Sequence, residues 1–324
     1  MMAVVLVLTG CSKQQWRKAQ GSAWGTTYTV TYYSDRDLSD SIVAEMARVD
    51  SELSVFNPES NVSRINTGAT DIMSPMTREI FQESRNINSL TDGMFDPTIG
   101  LLSELWGFGT KKYKPGEAVD SAAVAECLGA VGIADCTLSS DTHRIVKKRH
   151  DTRFDFGAIA KGYGVDCMAN VLKRNKVKNY LVEVGGEMAV AGKSPKGEDW
   201  YVQIDSPESG PAGHIALTKV YLTNCCVATS GNYRNTRDLP DGQRVGHIIS
   251  PKTGYPVTTD VLSATVVAKQ CVIADALATA CMTMDSQSAL RLLSEARCIG
   301  ALLQVSRPGG RIETLTYGSI FAAK

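Results

Sequence analysis

Stretches that repeat every two residues and stretches that repeat every 3.6 interleave along this chain, without the even spacing of βαβ units. That pattern limits the fold more than any single residue does. From Thr27 to Tyr33 threonine alternates with Tyr or Val, the period of a half-buried strand. Ile42, Met46, Val49 and Leu53 recur at helical spacing and predict an amphipathic helix over 40–53. A second helix is predicted over Thr77–Thr91, with Ile80, Phe81, Ile87 and Leu90 inward. A third begins near Ala158 and carries Ile159, Tyr163, Cys167 and Val171. Residues 107–120, rich in Gly, Lys and Pro, predict a loop. Strands are predicted at Tyr180–Val184, Tyr201–Asp205, Val220–Asn224, Leu262–Ala268 and Ala301–Val305, and helices at Ala274–Met284 and Gln287–Ala296. The fold class that follows is α+β, mixed sheets flanked by helices. No repeat, low-complexity tract or composition shift marks a linker, so residues 21–324 read as one interwoven unit.

Charge excludes one class of function. Thirty-four Lys and Arg cancel thirty-four Asp and Glu, which leaves no excess of cations for wrapping nucleic acid. No run approaches eighteen apolar residues, so no segment reads as a membrane-spanning helix. The nine cysteines include no CxxC and no Cys/His set at zinc spacing, and their spacing assigns no disulfide. The first ten residues, MMAVVLVLTG, are too short to span a bilayer and sit where a secretory apolar region would sit. Leu8-Thr9-Gly10-Cys11 resembles the bacterial lipobox. The resemblance implies a lipoprotein signal peptide over 1–11 with a lipidated Cys11, then a polar tether over 12–20. The chain is accordingly expected to be exported and lipid-anchored to a bacterial membrane, facing the periplasm; several acyl chains together anchor stably where one would be marginal.

Four segments hold more glycine and polar residues than a helix or strand needs. Gly93-Met94-Phe95-Asp96-Pro97-Thr98-Ile99-Gly100 is either a simple turn or a place where backbone approaches a partner. Asp155-Phe156-Gly157-Ala158-Ile159-Ala160-Lys161 puts a lysine in the first turn of a helix, where acids are preferred. An anion seated on the free amides there would neutralise it. The segment is not a Walker loop, and no Gly-x-Gly-x-x-Gly occurs. His247, in Gly246-His-Ile-Ile-Ser-Pro-Lys-Thr-Gly-Tyr-Pro256, is one of only four histidines, either a base or a hydrogen-bonded structural residue. Thr229-Ser230-Gly231 lies just upstream. Asp275 and Thr279 are four apart on a predicted helix, so their oxygens share a face. Such a hard-oxygen pair suits Mg²⁺. The alternative is an acid complementing the helix dipole, with the threonine bonded back to its own helix.

Taken together these segments resemble the ApbE family, the FAD:protein FMN transferases. The similarity also takes in Gly21-Ser-Ala-Trp-Gly-Thr-Thr-Tyr28, Asn61-Val-Ser-Arg-Ile-Asn66, Leu105-Trp-Gly-Phe-Gly109 and Val182-Glu-Val-Gly-Gly-Glu187. It implies an ApbE-like single catalytic unit over 21–324 that moves FMN from FAD to a threonine of a target protein with Mg²⁺ and releases AMP. By position, Asp275 and Thr279 would bind Mg²⁺ through side chains, and Ala158 and Ala278 through carbonyls. Asp155 and Lys161 would touch FAD, Lys161 near the phosphates. Trp24, Phe56, Met94, Phe95, Asp96 and Ile249 would line the flavin or adenine sites. His247 would assist deprotonation of the incoming threonine. The implied partners are flavin-bearing subunits of sodium-pumping NADH:quinone reductase or of the Rnf complex. Two positions depart from the family pattern: Trp24 stands where Met is frequent, and Ser250 where Asp is frequent in the His-x-x-Asp-Pro motif. An FAD pyrophosphatase, with water as nucleophile, and a non-catalytic FAD-binding lipoprotein remain the competing readings.

Overall fold

Strand pairing begins earlier in the chain than the polar composition of 12–20 suggests. The structure, a computed structural model, describes residues 13–111, 117–207, 215–232, 235–240, 242–296 and 298–321; the expected signal peptide with Cys11 lies outside them. In chain order the first elements are β1 (Gln15–Ala23), β2 (Thr26–Ser34), α1 (Ser39–Leu53), α2 (Asn61–Thr67), α3 (Pro75–Leu90), α4 (Gly100–Leu105) and α5 (Ser121–Leu128). Next come β3 (Thr137–Leu138), β4 (Ile145–Val146), α6 (Ala160–Arg174), β5 (Tyr180–Val184), β6 (Glu187–Ala191), β7 (Trp200–Asp205) and β8 (Ala216–Leu222). The last are β9 (Cys225–Gly231), β10 (Thr236–Asp238), β11 (Arg244–Gly246), β12 (Val261–Ala268), α7 (Cys271–Met282), α8 (Ser286–Glu295), β13 (Gly300–Arg307) and β14 (Arg311–Tyr317).

Eight strands form one sheet in the order β1-β2-β5-β6-β9-β12-β13-β14, and every neighbouring pair is antiparallel. The α+β expectation therefore holds. The tether over 12–20 does not hold from residue 15 onward: Gln15–Ala23 pairs with Thr26–Ser34 along its whole length. Ala19 is buried, and Trp16 packs its ring against Tyr33 and Trp200. An edge strand needs only a few inward residues, so the sequence of β1 carries no clear period. Its hairpin closes through Trp24 and Gly25, both at positive φ (52° and 76°), the conformation of a two-residue type I′ turn.

One face of the sheet carries the helices, the other the β7–β8 ribbon. Cys226 and Ala228 of β9 point into the helical cores, while Cys225 and Val227 pack with Trp200, Val202 and Leu222 of the ribbon. A strand buried on both faces shows no alternation, which is why β9 is not legible by period. Boundaries elsewhere follow local geometry. The predicted strand at Val220–Asn224 ends at Leu222 instead, and Asn224 turns the chain at φ 52°. Leu90, predicted to face inward, closes α3 at 37% exposure, whereas Ile80, Phe81 and Ile87 are buried.

Helices α6 and α7 cap each other. Neither has a side-chain cap from its own N-cap residue, Ile159 or Gln270. Instead Asp166 of α6 accepts from the Cys271 and Val272 amides of α7 (3.0 and 2.9 Å). In return Asp275 of α7 accepts from the Gly162 amide of α6 (2.8 Å). Helix N-terminal amides that stay inside a protein need such acceptors. The approach is close enough that a Cβ on Gly162 would lie 2.4 Å from the Cys271 carbonyl oxygen. Asp166→Ala leaves two α7 amides without acceptors and is expected to cost about 2 kcal/mol. Asp166→Asn, which keeps one acceptor, should cost less; equal denaturant midpoints for Ala, Asn and wild type would refute the capping role.

Candidate functional site

All four polar segments converge on the α6–α7 junction. The Phe95–Gly100 turn pairs with the chain leading into α6: the Asp155 amide donates to the Pro97 carbonyl (2.6 Å) and the Gly100 amide to the Arg153 carbonyl (3.1 Å). The Asp155–Lys161 segment meets α7 through Gly162 and Asp275. Ser230, at the end of β9, shares a hydrogen bond with Thr279 one turn beyond Asp275 (3.1 Å). Thr229 bonds Thr265 of β12 (2.9 Å). The His247 segment packs on the end of α4, with the Phe108 ring beside the imidazole (6.3 Å between centroids) and Trp106 Nε1 donating to the Gly254 carbonyl (2.8 Å), and its imidazole lies within the field of Lys161.

The charged centre consists of Lys161, Glu187 and Asp275. Lys161 pairs directly with Glu187, which is 2% exposed, and lies within the field of Asp275. Burial opposes the ammonium, but the two carboxylates outweigh it and raise the lysine pKa. Burial also raises both carboxylates, with Lys161 pulling each of them back down. One ammonium against two carboxylates leaves one excess negative charge, which a proton or a second cation must compensate. Glu187 Oε2 is buried with no hydrogen-bond partner among the described residues.

Residues that would hold Mg²⁺ fit this centre on structural grounds. The Gly162 amide, four residues after Ala158, turns to Asp275 instead of the Ala158 carbonyl. That carbonyl receives no backbone amide among the described residues and is open to a ligand. Thr279 is half-buried, its hydroxyl bonded to Ser230 rather than committed to its own helix alone. Ala278 differs: it is fully buried inside α7, four residues before Met282, so the helical ladder engages its carbonyl and leaves only the second lone pair.

The other expected site residues separate into two groups. Trp24 is half-buried with its indole over α6, where a Cβ on Gly164 would sit 2.2 Å from the ring. The ring can be seated only because that residue is glycine. Phe56 stands 69% exposed, and Met94 is half-buried, its carbonyl accepting from the Thr283 hydroxyl (3.1 Å). These three keep part of their side-chain surface outside the core. The side chains of Phe95 and Ile249 are buried in hydrophobic clusters, Ile249 with Leu102, Trp106 and Val124. Asp96 is also structural. Its Oδ1 accepts from the Thr98 amide and hydroxyl (2.9 and 2.6 Å), and its Oδ2 from Ile133 N and Asn88 Nδ2 (3.0 and 3.2 Å). A sealed carboxylate with four donors has no free edge for a flavin. Asp155, half-buried, accepts from the Gly157 amide (2.9 Å); burial raises its pKa, with the hydrogen bonds from Gly157 and Ser103 opposing this and the Glu104 charge adding to it.

His247 is half-buried, and its Nδ1 has no hydrogen-bond partner among the described residues. Burial lowers its pKa, the Asn235 backbone opposes this, and the Lys161 charge lowers it further. Ser250 does not flank the imidazole as a catalytic partner. Its Oγ accepts from the Lys252 and Thr253 amides (3.3 Å each), a turn-holding role that aspartate fills equally well. Glu187, paired with Lys161, and Asp166, which caps α7, are the buried acids here that the sequence patterns do not single out. The available signals were an acid after Gly185-Gly186 opening an apolar strand, and an acid between Val165 and Cys167 on a buried helical face.

An antiparallel α+β sheet with one oxygen-rich, ammonium-bearing centre at a helix junction defines the general class. The sequence matches the ApbE family over residues 24–303, and the chain belongs to that family. Among its relatives, the FAD:protein FMN transferase of Vibrio cholerae serotype O1 is 32% identical over 323 residues, covering 95% of this chain and 93% of the relative. The solved structure of the flavin transferase ApbE from Vibrio cholerae superposes with a TM-score of 0.84 at 29% identity, covering 95% of this chain and 99% of that one. The apo form of the Pseudomonas stutzeri flavinyl transferase ApbE gives a TM-score of 0.82 at 29% identity, covering 96% and 98%.

Proposed function

We propose that the protein is an FAD:protein FMN transferase that joins FMN through its phosphate to a threonine hydroxyl of an acceptor protein, with Mg²⁺ in the site and AMP as leaving group. The carrying observation is the gathering of an open Ala158 carbonyl, the Asp275 carboxylate, the Thr279 hydroxyl and the Lys161 ammonium at one helix junction. The names of the relatives point to the same activity. In the reaction the acceptor oxygen bonds to the FMN phosphorus, the diphosphate P–O bond breaks, and the hydroxyl proton is removed. Asp275, Thr279 and the Ala158 carbonyl would hold Mg²⁺, which supplies charge neutralisation at the diphosphate oxygens. Lys161 would hold the diphosphate oxygens through its ammonium. Trp24, Phe56 and Met94 border the rings of FAD.

His247 accepts the proton of the incoming threonine. Its imidazole is neutral at pH 7, because burial and Lys161 hold its pKa below the ordinary value. Flavin transfer should therefore fall on the acid side with a midpoint below about 6.5. The sign for stability agrees. The unfolded chain binds the proton more tightly, so this contribution is complete above about pH 6.5 and is lost as pH falls through the folded value. His247→Ala should lower the transfer rate on the order of 10²-fold at saturating FAD and abolish that acid limb. An unchanged rate would remove His247 from the mechanism.

The decisive experiment incubates the protein with FAD, Mg²⁺ and a candidate acceptor and analyses the products by mass spectrometry. FMN on an acceptor threonine with AMP supports the transferase. Free FMN with AMP instead indicates pyrophosphatase activity, and intact FAD a binding protein. The acceptors we propose are flavin-bearing subunits of sodium-pumping NADH:quinone reductase or Rnf complexes. We further propose that the chain is exported and held at the membrane through Cys11, where it would meet them.

A further inference from the structure

Glu187 is held in place by its hairpin. Gly185 and Gly186 both take positive φ (61° and 107°), and the two-residue turn sets Glu187 opposite Val184 at the head of β6. The carboxylate is 2% exposed; one oxygen meets Lys161, and the other has no hydrogen-bond partner among the described residues. A lysine serving only to attract phosphate has no need of a buried acid against its ammonium. Here the acid cancels that attraction. With Lys161, Glu187 and Asp275 charged, the centre carries one net negative charge, and a bound divalent cation turns it to one net positive charge.

We propose that Glu187 sets the order of loading: it draws a divalent cation into the site and disfavours the diphosphate of FAD until that cation is present. The inference rests on reading this centre as a metal and diphosphate site. Glu187 is thus a positioning residue, acting on both ligands through the charge it places beside Lys161. Its removal shifts the two affinities in opposite directions, whereas loss of a purely structural contact weakens both.

The test measures each ligand alone, at pH 8.5. Mn²⁺ binding without FAD is followed by electron paramagnetic resonance, and FAD binding in EDTA by flavin fluorescence. Glu187→Gln should weaken Mn²⁺ binding on the order of tenfold and strengthen metal-free FAD binding by a similar factor. Glu187→Asp, which keeps the charge, should leave both within a few-fold of wild type. Glu187→Ala is the second neutral variant, and all are checked for a cooperative melt. If wild type binds both ligands and the folded neutral variants shift both affinities the same way, or neither, the loading role is overturned while the site reading stands. If wild type binds neither ligand, the site reading itself fails.

Discussion

Asp275→Asn should leave the fold in place and remove most of the function. Asparagine can still accept the Gly162 amide that Asp275 receives at 2.8 Å, so the α6–α7 junction keeps its cap. What disappears is the charge on the helix face shared with Thr279. Flavin transfer is expected to fall on the order of 10²–10³-fold, the scale for losing a principal electrostatic group at a reacting centre. The Mg²⁺-dependent rise in melting temperature should vanish with it, since ligand stabilisation follows affinity. Asp275→Ala removes the acceptor as well and should cost a further 1–3 kcal/mol of stability. Thermal melts with and without Mg²⁺ separate the two variants. Wild-type Mg²⁺ stabilisation in Asp275→Asn would remove Asp275 from the metal site.

Gly162→Ala is expected to damage the fold and the site together. Its Cβ would sit 2.4 Å from the Cys271 carbonyl oxygen and 2.7 Å from the Asp275 Cβ. Neither neighbour is the tip of a flexible side chain, so the two helices must separate. Overpacking of this kind costs about 1–3 kcal/mol. Separation also lengthens the Gly162–Asp275 bond and shifts Asp275 away from Lys161. Stability and Mg²⁺ affinity should therefore fall together in Gly162→Ala, whereas Asp275→Asn lowers only affinity. Gly162→Ala with a wild-type melt and wild-type Mg²⁺ response would show that the close approach does not hold the site.

The reciprocal caps explain why so small a junction supports both stability and chemistry. Asp166 satisfies the start of α7, and Asp275 satisfies the start of α6. The second cap takes the Gly162 amide away from the Ala158 carbonyl, so the bond that fixes the helices also opens a ligand position. One oxygen of Asp275 serves the fold, and its carboxylate places negative charge beside Lys161, the charge that the proposed function assigns to Mg²⁺.

Much of this was legible in the chain. The periods of two and 3.6 located α1, α3, α6, α7, α8 and six of the fourteen described strands within a few residues, because those elements record their own burial face in their sequence. The polar segments were legible too, as excesses of glycine and oxygen donors over what an element needs, and all four meet at one junction. Composition and spacing could not separate Asp96 from Asp275. Both are acids in unusual surroundings, yet Asp96 is sealed by four donors and Asp275 faces Lys161. Likewise Phe95 and Ile249 belong to hydrophobic cores while Phe56 stands in solvent.

The division has a physical cause. Period and turn chemistry are local, so the sequence alone determined the longer helices, several strands, most of their inward faces and the family to which the chain belongs. Partnership is non-local: Gly162 and Asp275 lie 113 residues apart, and Lys161 and Glu187 lie 26 apart across a glycine hairpin. Which oxygen stays free depends on how the sheet brings such distant groups together. The tertiary structure alone decided that Glu187 faces Lys161, that the Ala158 carbonyl is open, and that residues 15–20 form an edge strand rather than a tether.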